Sequence, residues 1–168
     1  MSKKSIIWDI GKVLIDFNLL KLQNLLRNKL NVGGVNFLEN CPHYIKLESG
    51  HLDWADFCFA FNQQYGFVYS NGELLELFVQ DTFTPIPETI LIFDDYCKKT
   101  DNFLMSNITK EAWLYLTDEY NWLHQCKHKI LSFQVKRRKP EKEYFEIGLK
   151  LMNKEPKDCL FIDDRAEN

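Results

Sequence analysis

The chain has 168 residues, 45% of them apolar, with 13 Phe, 4 Trp and a formal net charge of −3. That length suits one domain of ordinary size with room for a small accessory lobe, and the composition can bury a sizeable core. The acidic balance argues against a general nucleic-acid binder, and no apolar stretch approaches the ~20 residues that span a bilayer. The start, MSKKSIIWDIGK, breaks its apolar run too soon for a secretory signal. The cysteines are odd in number and widely spaced, which reads as reduced thiols in a cytoplasm rather than a disulfide framework.

Ser5 to Ile15 reads as a strand, a turn at Gly11 and an apolar continuation. From Phe17 to about Thr84 the pattern is helical. Leu19, Leu22, Leu25, Leu26 and Leu30 recur at helical steps until Asn31-Val32-Gly33-Gly34 stops them. A second helical run begins near Asp53, carries Phe57, Phe61 and Tyr65 on one face and stops at Gly66. A third covers Glu73 to Val79, before the break Thr84-Pro85-Ile86-Pro87. This insert is too long for a simple crossover and reads as a cap, residues 17–84, over a core made of 1–16 and 85–168.

From Glu88 helices and strands alternate. Helices are expected over Glu88–Lys99, Thr109–Tyr120 and Pro140–Met152, the last with Pro in its first turn, and strands over Asn102–Met105, Ile130–Phe133 and Cys159–Ile162. Short apolar strands separated by helices imply an α/β fold, a Rossmann-like parallel sheet with helices on both faces. In such sheets ligands bind outside the carboxyl ends of the strands.

The chemistry-bearing residues fall at those ends. Asp9 follows the buried run Ile6-Ile7-Trp8, where a charge needs partners. Ser106 ends FLMS, Lys139 stands in KRRKPE, and Asp163-Asp164 follow CLFI. An acid, a hydroxyl, an amine and an acid pair would form a metal-assisted phosphate site if their strands lay side by side. Other features read as structural. Asp94-Asp95 lie on a helix whose buried face is Ile86, Ile90, Phe93 and Cys97. His124, Cys126 and His128 lack a fourth zinc ligand. Lys136-Arg137-Arg138 reads as a solvated loop with Lys139 alone pointing inward, and Asp16 as a brace for the turn.

These motifs, IIWDIGKVLID, FLMSN, RRKPEKEYF and CLFIDDRAEN, taken in order, resemble those of the haloacid dehalogenase-like (HAD) hydrolase superfamily over essentially the whole chain. HYIKLESGHLDWADFCFAF resembles the helical cap of a subgroup with sugar-phosphate phosphatases and the phosphatase domain of epoxide hydrolases. The resemblance implies a Mg²⁺-dependent phosphatase of a small phosphorylated metabolite. Asp9 would be the nucleophile, and Ser106, Asn107 and Lys139 would hold the phosphate. The Asp9 carboxylate, the Gly11 carbonyl and Asp164 would hold the metal, with Asp163 and Asn168 in or near its coordination sphere. Gly11 departs from the pattern, which has a second Asp there as general acid and base. His43, Tyr44, Glu48 or His51 are the candidates to replace it, against a plain reading as polar cap surface. The alternatives are a degenerate non-catalytic binding protein and a carbon–halogen hydrolase, which needs no metal. Nucleic acid and membrane are not expected partners. The resemblance also implies a C-terminal helix and edge strand beyond Asn168. The chain therefore reads as shortened, with association between copies expected at an uncovered sheet edge.

Overall fold

The computed structural model describes residues 4–20, 22–24, 38, 40–80, 82–126 and 128–168. Strand β1 (Ser5–Trp8) leads through a turn into β2 (Ile15–Phe17), which pairs antiparallel with β3 (Phe83–Pro85). Strands β4 (Asn102–Ser106), β5 (His128–Leu131) and β6 (Cys159–Ile162) join β1 in a parallel sheet of order β5-β4-β1-β6. The helices are α1 (Pro42–Glu48), α2 (Trp54–Tyr65), α3 (Asn71–Val79), α4 (Pro87–Cys97), α5 (Lys110–Glu119), α6 (Ser132–Val135) and α7 (Lys142–Met152).

Alternation along the strands builds both faces of the sheet. Ile6, Trp8, Leu104 and Leu131 pack with Phe93 and Leu116 on one face, which α4 and α5 cover. Ile7, Phe103, Met105 and Ile130 pack with Tyr144 and Met152 of α7 on the other. The α/β architecture is the expected one, with helices on both faces.

Residues between β2 and β3 gather in a separate apolar cluster around Phe57, Phe61, Leu74 and Phe78. Phe57 lies 5.4 Å from Trp54, 5.6 Å from Phe61 and 5.5 Å from Phe78 between ring centroids. Leu22 belongs to this cluster, while Leu25, Leu26, Leu30 and Gly33-Gly34 lie outside the described residues. Helix α2 ends as expected at Gly66, whose φ of 64° is left-handed. Helix α3 starts two residues before Glu73, because Ser70 and Glu73 form a capping box that fixes the first turn.

Three expectations need correction. Strand β5 stops at Leu131 rather than Phe133, because the Ser132 hydroxyl engages backbone groups and starts α6. Helix α7 begins at Lys142, so Pro140 precedes it in a turn closed by the Glu141 N–H donating to Arg138 O at 2.9 Å. The break at Thr84-Pro85 is itself a strand: Ile15, Asp16 and Phe17 pair with Pro85, Thr84 and Phe83, joining the two chain crossings beside the sheet. No helix among the described residues is long and apolar enough to cross a membrane.

Helix α1 docks on the segment after β5 by close backbone approach. Gly50 has a φ of 67°, and a Cβ there would lie 2.1 Å from the Phe133 carbonyl oxygen. Gly66 has a similar φ, with nothing within 4 Å of such a Cβ. Gly66→Ala should therefore lose only the left-handed strain, about 1 kcal/mol. Gly50→Ala adds a backbone collision and should lose on the order of 3 kcal/mol. Urea unfolding of the two variants checks the order; equal losses would mean that Gly50 is not a docking point.

Candidate active site

The chain runs outward from β1 through β4 to β5, then returns to β6 on the other side of β1. The carboxyl ends of β1 and β6 flank that reversal, where an α/β sheet leaves a crevice. Asp9 stands directly after β1 and is 6% exposed. Its N–H donates to Ile162 O at 2.9 Å, and its Oδ1 accepts from the Ile10 N–H at 2.7 Å. Lys139, 2% exposed, places Nζ 3.0 Å from Asp9 Oδ1 and 2.5 Å from Asp163 Oδ2. Asp163 Oδ1 accepts from the Arg165 N–H and from Asn168 Nδ2, both at 2.9 Å. Carboxylate oxygens of Asp9, Asp163 and Asp164 lie within 4.8 Å of one another, the one such group of acids, histidines or cysteines among the described residues.

The two buried carboxyls respond in opposite directions. Burial pushes Asp9 above the ordinary range, and the Asp163 charge adds to the rise, although Lys139 and the Ser106 hydroxyl pull it down. Burial also works to raise Asp163, but the hydrogen bonds from Lys139, Asn168 and the Arg165 amide outweigh it and leave its pKa lowered. The shared ammonium thus serves Asp163 better than Asp9, in keeping with the two distances.

A cavity of about 350 Å³ opens beside this group, with Asp9, Gly11, Ser106 and Asp164 on one side and Tyr44 and Glu48 of α1 on the other. Ser106 is buried at the end of β4, and its carbonyl accepts from the Tyr144 hydroxyl at 3.1 Å. Asn107, expected to bind phosphate, lines this cavity too, and its side chain also holds the lysine. Its Nδ2 donates to Lys139 O at 3.0 Å and its Oδ1 accepts from the Lys139 N–H at 2.8 Å, so its amide holds the lysine's backbone. Asp163 and Asp164 differ likewise: Asp163 braces Lys139, whereas Asp164 is exposed and lines the cavity.

The turn after Asp9 is closed by local contacts. Its left-handed residue is Lys12, with φ 58°. Asp16 does brace that turn, through an ion pair with Lys12 and by accepting from the Phe17 N–H at 2.7 Å. Asp94 and Asp95 lie on α4 as expected, where Asp95 pairs with Lys99 at 2.5 Å.

Sequence reasoning missed Ser132 and misread Arg138, Glu48 and Tyr44. Arg138 points inward beside Lys139, with Nη2 2.9 Å from Glu48 Oε2, so the solvated-loop reading fails for it. Glu48 is buried and Tyr44 sits among aromatic rings, so neither is polar cap surface. Ser132, fully buried, donates to Glu48 O at 2.6 Å and accepts from the Ile108 N–H at 2.9 Å, tying α1 to the segment after β4. A serine directly after an apolar strand was the signal available for it.

Because the Asp9 carboxyl titrates higher when folded, ionising it costs stability. That loss is full above the folded pKa and vanishes below the unfolded value of 3.8. Asp9→Asn should therefore unfold at a higher temperature than the wild type at pH 7 in EDTA, with the gap closing as pH falls toward 4. Melting curves across that range test this; a lower melting temperature for the variant at pH 7 would contradict it.

No protein-family model matches the chain, and no curated protein matches its sequence. Solved structures do match. A HAD-family enzyme of Bacteroides thetaiotaomicron, in a magnesium complex, superposes with a TM-score of 0.84 at 19% identity, over 99% of this chain and 86% of that one. The same enzyme in complex with magnesium and inorganic phosphate matches at 0.83 and 18% identity, over 98% and 86%. A predicted HAD-like family hydrolase of Porphyromonas gingivalis gives 0.82 at 19%, over 100% and 85%. The L-2-haloacid dehalogenase of Xanthobacter autotrophicus gives 0.63 at 14%, over 95% and 69%. The chain has the fold of the haloacid dehalogenase-like hydrolases.

Proposed function

We propose that the chain is a magnesium-dependent phosphomonoester hydrolase of the HAD type, acting on a small phosphorylated metabolite, with residues 17–84 as a cap over the site. The observation that carries this reading is the set of three clustered carboxylates around one buried ammonium. Three negative charges against one positive charge favour a further cation, and all-oxygen donors suit hard Mg²⁺. Asp9 and Asp164 would hold it with the Gly11 carbonyl, while Asp163 is engaged with Lys139. Bound there, Mg²⁺ offsets the repulsion between a phosphate ester and the carboxylates. The magnesium and phosphate complexes of the Bacteroides enzyme lend support.

In this reading an Asp9 oxygen attacks phosphorus, and the bond to the ester oxygen breaks. The departing alcohol takes a proton, and the phosphoryl group stays on Asp9. Water then cleaves that acyl phosphate, releases phosphate and restores the carboxylate. Lys139 and the Ser106 hydroxyl face the charge that develops on the transferring group. Carbon–halogen hydrolysis would use the same nucleophile, but an anionic haloacid would meet the acid pair without a metal cation to offset it.

A screen of phosphate esters and 2-haloacids, with and without Mg²⁺, tests the assignment. Mg²⁺-dependent phosphate release that disappears in Asp9→Asn is expected. Halide release, or activity surviving in that variant, would refute it.

Gly11 supplies no proton, and general acid–base catalysis is worth ~10²–10⁴ in rate. Aryl phosphates should therefore react faster than alkyl phosphates. A Cβ at Gly11 would meet only the Phe17 ring, 3.2 Å from Cε1, and a flexible ring can yield. Gly11→Asp should fold and raise alkyl phosphate turnover by about tenfold or more. Equal aryl and alkyl rates in the wild type would show that another group already donates the proton.

A further inference from the structure

We propose that the leaving-group side of this site is an ammonium pocket, an aromatic side chamber with the Glu111 carboxylate in its wall, suited to the phosphate monoester of a short amino alcohol. The substrate class rests on the phosphatase reading above; the pocket itself does not.

The chamber, of about 120 Å³, shares Gly11, Ser106 and Asn107 with the cavity beside Asp9, so a group leaving phosphorus at Asp9 has this space next to it. That volume is enough for a short aminoalkyl chain. Phe17, Tyr44, Trp54, Phe78 and Phe83 contribute to the wall, drawn from β2, α1, α2, α3 and β3. Two carboxylates join them. Glu48 is answered by Arg138 at 2.9 Å. Glu111, in the first turn of α5, also lines the chamber and has no ion pair among the described residues, with its Oε2 closed off from solvent.

A buried carboxylate oxygen without a donor is unfavourable, and its carboxyl is held above the usual range chiefly by burial. An ammonium in the chamber supplies the opposite charge, and aromatic faces attract cations further. A neutral alcohol supplies a donor but no charge. An anionic group would meet Glu111 and Glu48 together.

Initial rates for 2-aminoethyl phosphate and 2-hydroxyethyl phosphate, with Mg²⁺, test the substrate class. The wild type should favour the ammonium ester at least tenfold in kcat/KM, and Glu111→Gln should bring that ratio toward one. Equal kcat/KM for the two esters in the wild type, or a ratio unchanged by Glu111→Gln, overturns the proposal. Ligand-detected NMR with ethanolamine and with ethylene glycol tests the pocket without any turnover. Saturation transfer to ethanolamine alone, reduced in Glu111→Gln, supports it even if no ester is hydrolysed, in which case only the phosphatase reading falls. No transfer to ethanolamine in the wild type, or equal transfer to both compounds, refutes the pocket.

Discussion

One ammonium holds the site together. Lys139 reaches from the loop after α6 to carboxylates at the ends of β1 and β6, and it is almost wholly buried at 2% exposure. Buried charges are tolerated only when paired and hydrogen-bonded, so this position constrains its neighbours. Asn107 fixes the lysine's backbone from the end of β4, and Asn168 with the Arg165 amide fixes Asp163. Four strand or loop ends are thus fastened to one point. What remains unbalanced is negative charge, on Asp9 and on the exposed Asp164, and that imbalance suits the site to a divalent cation and an anionic substrate.

The second constraint is the docking of α1 over this point. Ser132 links Glu48 O to the Ile108 backbone, Arg138 meets the Glu48 side chain, and Gly50 lets two backbones touch. All three contacts lie on or beside the segment that leads to Lys139. The insert is therefore positioned by the same loop that carries the ammonium, and the cavity's upper wall is set relative to Asp9. Phe83 of β3 and Tyr115 of α5 join the two parts, packing against both the insert's cluster and the sheet's.

Local pattern was enough for much of this. The strand Cys159–Ile162, the stop of α2 at Gly66 and the buried face of α4 follow from period and punctuation, which depend on near neighbours in the chain. Asp9, Ser106 and Asp163-Asp164 were legible because charged and polar residues at the ends of short apolar strands have few packing explanations, and Lys139 by its place in the loop motif RRKPEKEYF. A parallel sheet then brings such ends together with little further information.

Tertiary structure decided the division of labour among those residues. Asn107 and Asp163 serve Lys139, while Asp164 faces the cavity, a distinction that depends on which oxygen meets which donor across the sheet. Arg138 turns inward because Glu48, remote in sequence, waits there. The pairing of β2 with β3 and the Ser132 bridge across 84 residues to Glu48 likewise have no local signature. Even the turn after Asp9 was legible only in part: the sequence showed that it turns at a glycine, but the left-handed residue is Lys12. Periodicity in a sequence reports which faces are buried. Only the folded chain determines which buried group answers which charge.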